Sequence, residues 1–448
     1  MKVDLKNFPF LVIDVASFYL ALLVSLVIRL GPNFTFEIFS NHVGPFSLVL
    51  VGWILVFFVA GFYDIRNFSK RLDYLKIFIV AILISAALSA TYFYISSPTG
   101  ESISPKTILL LFVVSFAIID YLVREVLFKH YLQSKSLQNV LLIGKGKDVE
   151  ELVNYLIEHP QLGYKVRLWI KEYRREDFDK LIRENGLDVL VIPASLSQNK
   201  EIASKIYREM LSGVEVIGFS EFYENIFGKV SIDELEENWF LERLKPKNDF
   251  YLLLKRIVDM ILAIFILIIT LLLWILIVFG IKMSSRGPTM FLGKRAGFKE
   301  QEFTPYKFRT MDVGTGDTII ESRGDEFGVV EKDPRVFGFG KFLRKVRLDE
   351  LPQVINVIKG ELVFVGPRAD LADFYKFLKG KIPYYQIRTI VRPGLTGWAQ
   401  VHNSYGSTVE GTKERLAYDI YYIKNRSFAL DLIIVLRTLK TILMFSGV

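Results

Sequence analysis

The sequence predicts a membrane protein in three parts: an N-terminal four-helix transmembrane bundle, a Rossmann-like α/β domain, and a C-terminal, mostly α domain carrying a further membrane helix. Three observations lead there. Of the 448 residues 51% are hydrophobic and the mean hydropathy is +0.33, too apolar for an ordinary soluble chain. Apolar runs near 8–30, 45–63, 74–95 and 107–128 each approach the roughly 20 residues that span a bilayer. After Asn139 apolar strands alternate with amphipathic helices, and a fifth apolar stretch follows Lys255-Arg256.

The first run is too long for a cleaved signal peptide, and more runs follow it. Lys2 and Lys6 precede the first run, Arg66, Lys70 and Arg71 lie between the second and third, and Arg124, Lys129 and Lys135 close the fourth. The other two loops hold only Lys106 at one edge, so the positive-inside rule puts both ends of the bundle in the cytoplasm. Asp14, Arg29 and Asp120 stand near the ends of their runs and are expected to snorkel to the interface. The bundle is assigned to residues 1–132.

Residues 138–220 form the α/β part. NVLLIGKGKDVEELVNYLIEH contains a buried-type strand, a glycine turn and an amphipathic helix, followed by strands in 187–195 and 214–219 with a helix at about 199–212. Gly144 and Gly146 are present, but the third glycine of a dinucleotide fingerprint is missing, which favours a regulatory or scaffolding role over cofactor binding. Residues 221–250 form a charged, aromatic connector. The last domain, 251–448, opens with a membrane-embedded helix at 255–282. By length that helix can span, which would carry everything after it across the membrane.

No cysteine is present and the four histidines lie in unrelated segments, which excludes disulfides, thiolate nucleophiles and cysteine-based zinc sites. Any metal is expected to be a hard cation on carboxylates. From Lys255 onward 29 Lys and Arg face 19 Asp and Glu, so the whole positive excess lies in the last domain. Beside so much hydrophobic sequence, lipid headgroups or a phosphorylated substrate fit that excess better than nucleic acid. The segment RKVRLDELPQVINVIKG (344–360) sets Asp349 and Glu350 behind Arg344, Lys345 and Arg347. Helix capping by Asp349, with Pro352 in the first turn and a stripe of Leu351, Val354, Ile355 and Ile358, explains a helix but not the clustered charge.

Arg286, Arg295, Lys307, Arg309, Arg335, Arg368 and Arg392 recur beside glycine and proline turns, where backbone amides and guanidinium forks suit oxyanions. With SRGP, KFRTM, LDELPQ, GPR, RPGLTGWAQV and YDIYYI in order over almost 200 residues, the chain from Lys255 onward resembles the bacterial sugar transferases. These are monotopic polyprenyl-phosphate hexose-1-phosphate transferases, and the earlier spans and α/β domain match their large form. The resemblance implies a catalytic domain with a re-entrant membrane helix. It also implies transfer of a sugar 1-phosphate from a UDP-sugar to polyprenyl (undecaprenyl) phosphate, with release of UMP, as the first membrane step of exopolysaccharide, capsule or O-antigen assembly.

Asp349 is then the nucleophile of a covalent phosphosugar intermediate, Glu350 its helper, and both hold Mg²⁺, with Mn²⁺ as an alternative. Nearby cations and a helix N-terminus are expected to keep Asp349 ionised. Lys307, Arg309, Arg344, Arg368 and Arg392 become phosphate-binding candidates, and Lys255, Arg256, Asp259 and Asp419 positioning candidates. The implied setting is the bacterial cytoplasmic membrane with the catalytic domain facing the cytoplasm, no nucleic-acid partner, and an assembly compatible with a homodimer.

Thr270-Leu271-Leu272 stands where the family's helix carries a Ser-Pro break. Gly293, Ala369 and Thr389 replace a common Gln, Pro and His. Two other readings compete. A membrane-anchored nucleotide-sugar dehydratase needs a Tyr-x-x-x-Lys pair, which neither Tyr164 nor Tyr207 provides. A non-enzymatic scaffold or regulator of polysaccharide assembly tolerates loss of Asp349, and the enzyme does not. The C-terminal stretch FALDLIIVLRTLKTILMF is expected to form an interfacial amphipathic helix.

Overall fold

The computed structural model describes residues 8–63, 71–96, 105–134, 137–172, 181, 184–197, 200–211, 213–233, 235, 237–244, 249–312, 322–323, 326–327, 335–402 and 408–443. Lys2, Lys6, Arg66, Lys70 and Lys135, on which the expected orientation of the bundle rests, lie outside the described residues. The chain divides into two compact units, Met1–Phe219 and Ser220–Val448.

In the first unit the four apolar runs form helices α1 (Phe8–Leu30), α2 (Phe36–Ala60), α3 (Arg71–Ser96) and α4 (Pro105–Ser134). Helix α1 packs on α4 and α2 on α3 around an aromatic core. Phe18 sits there edge-on to Trp53 and Phe112, with ring centroids 5.8 and 4.7 Å away, the arrangement that ring quadrupoles favour. Phe10–Asn33, Phe36–Phe58 and Tyr74–Ile95 are long and apolar enough to cross a membrane, and so is the later helix Asp249–Ser284.

Asp14 and Asp120 do not reach the interface as expected. Both are buried and both bind Arg124, which is itself only 2% exposed. Arg124 Nε donates to Asp120 at 2.8 Å and a terminal nitrogen donates to Asp14, while Tyr63 OH donates to Asp14 at 2.6 Å. A guanidinium that neutralises both acids removes the drive to snorkel and ties α1 to α4. Arg29, by contrast, is exposed at the end of α1.

The α/β part has four parallel strands, β1 (Gln138–Ile143), β2 (Tyr164–Ile170), β3 (Val189–Ile192) and β4 (Glu215–Gly218), in the order β2-β1-β3-β4. The central strands β1 and β3 are apolar because helices cover a parallel sheet. Helix α5 (Lys147–Glu158) buries Val149, Leu152, Val153 and Leu156. Gly144 and Gly146 make the turn into it with φ of 148° and 119°, values closed to most side chains. Trp169 Nε1 closes the turn on Gly144 O at 2.9 Å.

In the second unit the helix Asp249–Ser284 runs 36 residues without interruption, through Thr270-Leu271-Leu272, where the resembled family carries its Ser-Pro break. Thr270 Oγ1 instead bonds Ile266 O in the preceding turn, at 2.7 Å. One face of this helix is buried through Asp259, Ala263, Ile277 and Ile281. The other exposes Phe265, Ile268, Leu272, Ile275 and Phe279. Arg256, near its start, donates to the carbonyls of Val357 and Ile358 at 2.5 and 2.6 Å, satisfying the C-terminal turn of helix Val354–Lys359. Ile277 and Ile281, near its end, pack with Phe308 and Leu343.

The final helix, Phe428–Leu443, buries Leu430, Asp431 and Ile434 and leaves Phe428, Leu432, Val435 and Leu439 exposed, so apolar side chains lie on its packed and its exposed sides alike. Two short sheets complete the frame of the site. Met290–Leu292 pairs antiparallel with Tyr306–Phe308, and Val363–Val365 pairs parallel with Gly394–Thr396.

Candidate active site

The acidic pair opens a 3-10 helix, Leu348–Gln353, that continues into helix Val354–Lys359. Arg347 sits before it with φ 58°, the left-handed region that costs a non-glycine residue of order 1 kcal/mol. Asp349 therefore lies inside the first turn, and no side chain caps the helix. The 3-10 start also shifts the helical phase. Of the expected stripe, Val354 is buried and Leu351 and Ile358 pack on the core half-buried, while Gln353, Asn356 and Val357 turn inward beside them.

Asn356 is fully buried and fixes the register of the site. Its amide accepts from Tyr306 N at 2.9 Å and donates to Thr304 O at 2.9 Å and Glu361 Oε2 at 2.7 Å. Strand Tyr306–Phe308 is thereby held beside the dyad and delivers Lys307. Lys307 Nζ and Arg368 Nη2 converge on one oxygen, Glu350 Oε1, at 2.7 and 2.9 Å. Arg368 arrives on the GPRAD loop, which crosses the RPG loop at Gly366 and Gly394. A Cβ on Gly394 would stand 2.1 Å from Gly366 N, so that crossing requires glycine.

The two acids differ sharply. Burial opposes ionisation of Glu350, but Arg368 and Lys307 overcome it and hold its carboxyl well below the usual range. Asp349 forms no ion pair among the described residues, and its buried Oδ1 has no hydrogen-bond partner. Burial pushes its carboxyl up, and Lys307 offsets this only in part. The cations that bond an acid bond Glu350, and at Asp349 they offset burial only in part. Lys307 is pulled down, by burial first and then by Arg368 and Arg295, despite contact with Glu350.

The other expected residues fall in different places. Arg344 Nε donates to Thr310 Oγ1 at 2.9 Å and reaches Asp349 only through space. Arg309 is buried and donates to Pro288 O, Ser285 Oγ, Ser285 O and Met311 O, which shapes the SRGP turn. Arg392 bonds Gly360 O at 3.0 Å and lies over the Phe298 ring, away from the dyad. Lys255 pairs with Asp431 at 2.6 Å and lies 4.0 Å from Asp259, joining the long helix to the final one. Asp419 accepts from Arg388 at 2.9 Å.

That contact leads to a network the motifs do not announce. Arg388, 4% exposed, bonds Asp370, Asp419 and the Arg368 carbonyl, while Arg415 and Tyr385 also donate to Asp370. The whole group clamps the loop carrying Arg368. In the sequence Arg295 is one cation among several beside glycine turns. Burial and the adjacent Arg368 pull its pKa down to about 10. The periodicity of YQIRTI and the lone charges carry no signal for these pairings.

The dyad fits a hard divalent cation: the free Asp349 oxygen and the Glu350 carboxylate are two oxygen donors, as Mg²⁺ commonly takes from protein. Among the described residues no group of three or more His, Cys, Asp or Glu could hold a metal unaided, so phosphate and water would complete the shell.

A family model described as bacterial sugar transferase matches residues 250–445. A UDP-N-acetylgalactosamine-undecaprenyl-phosphate N-acetylgalactosaminephosphotransferase of Aeromonas hydrophila is 39% identical over 52% of this chain and 53% of its own length. A UDP-glucose:undecaprenyl-phosphate glucose-1-phosphate transferase of Xanthomonas campestris pv. campestris is 30% identical over 77% of this chain and 75% of its own. A protein of the same description from Escherichia coli K12 is 36% identical, over 43% and 41%. This chain thus spans about half the length of the first of these relatives and three quarters of the second.

Proposed function

This chain belongs to the bacterial sugar transferase family, and on that premise we propose that it is a phosphoglycosyl transferase that moves a sugar 1-phosphate from a UDP-sugar to undecaprenyl phosphate, as an initiating membrane step of polysaccharide assembly. One observation carries the reading: of two adjacent acids, the half-buried Glu350 is clamped by two cations and the buried Asp349 is left open.

Asp349 attacks the sugar-proximal phosphorus. The bond from that phosphorus to the bridging oxygen breaks, its electron pair leaves with UMP, and an acyl phosphate bearing the sugar remains on the enzyme. An oxygen of undecaprenyl phosphate then attacks the same phosphorus and the Asp349 carboxylate departs. Lys307 and Arg368, fixed by Glu350, face the phosphate and offset its charge. A bound Mg²⁺ or Mn²⁺ would neutralise phosphate charge at the dyad. Passing the group through the protein keeps two anionic substrates from having to occupy the site together.

The family relationship and the apolar helices support a bacterial cytoplasmic membrane location. The contacts of Arg256 and Ile281 support keeping the catalytic domain on one side of it. On this reading a helix whose start and end both pack on one domain leaves that domain on one side. The chain has no native cysteine, so Phe250→Cys and Met283→Cys, both at exposed positions, each give a unique label site. Both are expected to react with an impermeant thiol reagent from the cytoplasmic face alone, and reaction from opposite faces contradicts the placement.

The relatives differ in sugar, so the substrate is set by assay: UMP release from a panel of UDP-sugars by the full chain in nanodiscs with undecaprenyl phosphate and Mg²⁺. UMP from one sugar, lost in Asp349→Asn, supports the reading. No UMP from any sugar, in folded protein, contradicts it.

A further inference from the structure

Beside Glu350 lies a small cleft lined by Arg295, Lys307, Arg368, Gln353, Phe303 and Leu362. Three of these side chains are cations. Lys307 and Arg368 share one carboxylate oxygen, and Arg295 forms no ion pair among the described residues. Its guanidinium donates to the Ala369 carbonyl. The nearest acid on that loop, Asp370, is taken by Arg388, Arg415 and Tyr385. The cleft therefore gathers three cations around one carboxylate, that of Glu350, among the described residues. A half-buried arginine without a carboxylate is costly unless an anion arrives.

Arg295 is also held rigidly. Its backbone pairs with Phe303 on one side and bridges Leu371 on the other, and Ala296 N bonds Asp370 O at 3.0 Å. A cation on so fixed a frame is set in place before any ligand binds.

We propose that Arg295 is the third cation of a phosphate subsite shared with Lys307 and Arg368. The phosphate belongs to a substrate, either the diphosphate of a UDP-sugar or the head of a polyprenyl phosphate. Only this choice of source rests on the transferase reading, since the subsite itself is defined by the three cations.

Inorganic pyrophosphate is the first probe, on the full chain in nanodiscs. It is expected to raise the melting temperature of the wild type, and R295Q is expected to bind it about ten- to hundredfold more weakly, as loss of a charge-assisted hydrogen bond implies. KM values then separate the sources. A rise for the UDP-sugar alone places its diphosphate on Arg295, and a rise for undecaprenyl phosphate alone places the lipid head there. Wild-type pyrophosphate affinity and unchanged KM values in folded R295Q overturn the proposal and leave Arg295 as a tie to Ala369. If R295Q melts early, R295H decides. Folded, and gaining pyrophosphate affinity relative to wild type as the pH falls from about 8 to about 5, it supports a third cation; folded with the pH dependence of the wild type, it overturns it. Pyrophosphate binding needs no turnover. A chain that binds it through Arg295 yet releases no UMP keeps the subsite and loses the transferase reading.

Discussion

Two acid and cation clusters of the C-terminal domain, around Arg388 and around Glu350, are built to opposite ends. Around Arg388 both acids are satisfied: Asp370 takes Arg388, Arg415 and Tyr385, and Asp419 takes Arg388. Around Glu350 the cations crowd onto a single oxygen and leave Asp349 with a buried, unbonded one. Saturation makes a buried charge structural, because its desolvation is offset locally. Leaving one acid open keeps a reactive group available at a cost in stability. The two clusters are joined, since Arg388 bonds the carbonyl of Arg368, the residue that clamps Glu350.

The contrast is sharpest at the open acid. Asp349→Asn is expected to lower UMP release by about a thousandfold or more, the scale of losing a nucleophile. Its melting temperature should match or exceed the wild type, because an unsatisfied carboxylate becomes a neutral amide. A large loss of stability would erase the distinction between the clusters. Arg388→Met should do the reverse: about 3–5 kcal/mol of stability lost, as when one partner of a buried pair is removed. Denaturant melts check this. Asn356→Leu leaves the Tyr306 amide and Thr304 carbonyl without their partner. It is expected to cost about 1–3 kcal/mol and to loosen Lys307, lowering kcat more than it raises KM. The smallest effect belongs to Arg392→Ala, whose lost contacts to Gly360 and Phe298 predict under about 1 kcal/mol and little change in UMP release. A large loss of activity there would place a substrate phosphate on Arg392.

What the sequence made legible was local. LDELPQ, KFRTM and GPR are contiguous signals, and Lys307 and Arg368 do meet at Glu350. The apolar runs show the same locality, since hydropathy is written along the chain. Pairings between distant residues were not legible. Asp14 and Arg124 are 110 positions apart, and each alone looks like a helix-end charge. Arg388 and Asp419, 31 apart, lie in segments whose spacing carries no mark of the pair. Asn356 was hidden for another reason: a polar residue beside an apolar stripe reads as a surface position, and after the 3-10 start it turns inward next to Val354 and Val357.

The central claim is that the open acid is the one that becomes covalently modified. Full-length protein, given its UDP-sugar without undecaprenyl phosphate, quenched in acid and weighed intact, should gain the mass of one sugar phosphate. Proteolysis should place that mass on the peptide containing Asp349, and Asp349→Asn should show no gain. UMP released only when both substrates are present, with no adduct at any time, or an adduct on Glu350 in place of Asp349, would contradict the account.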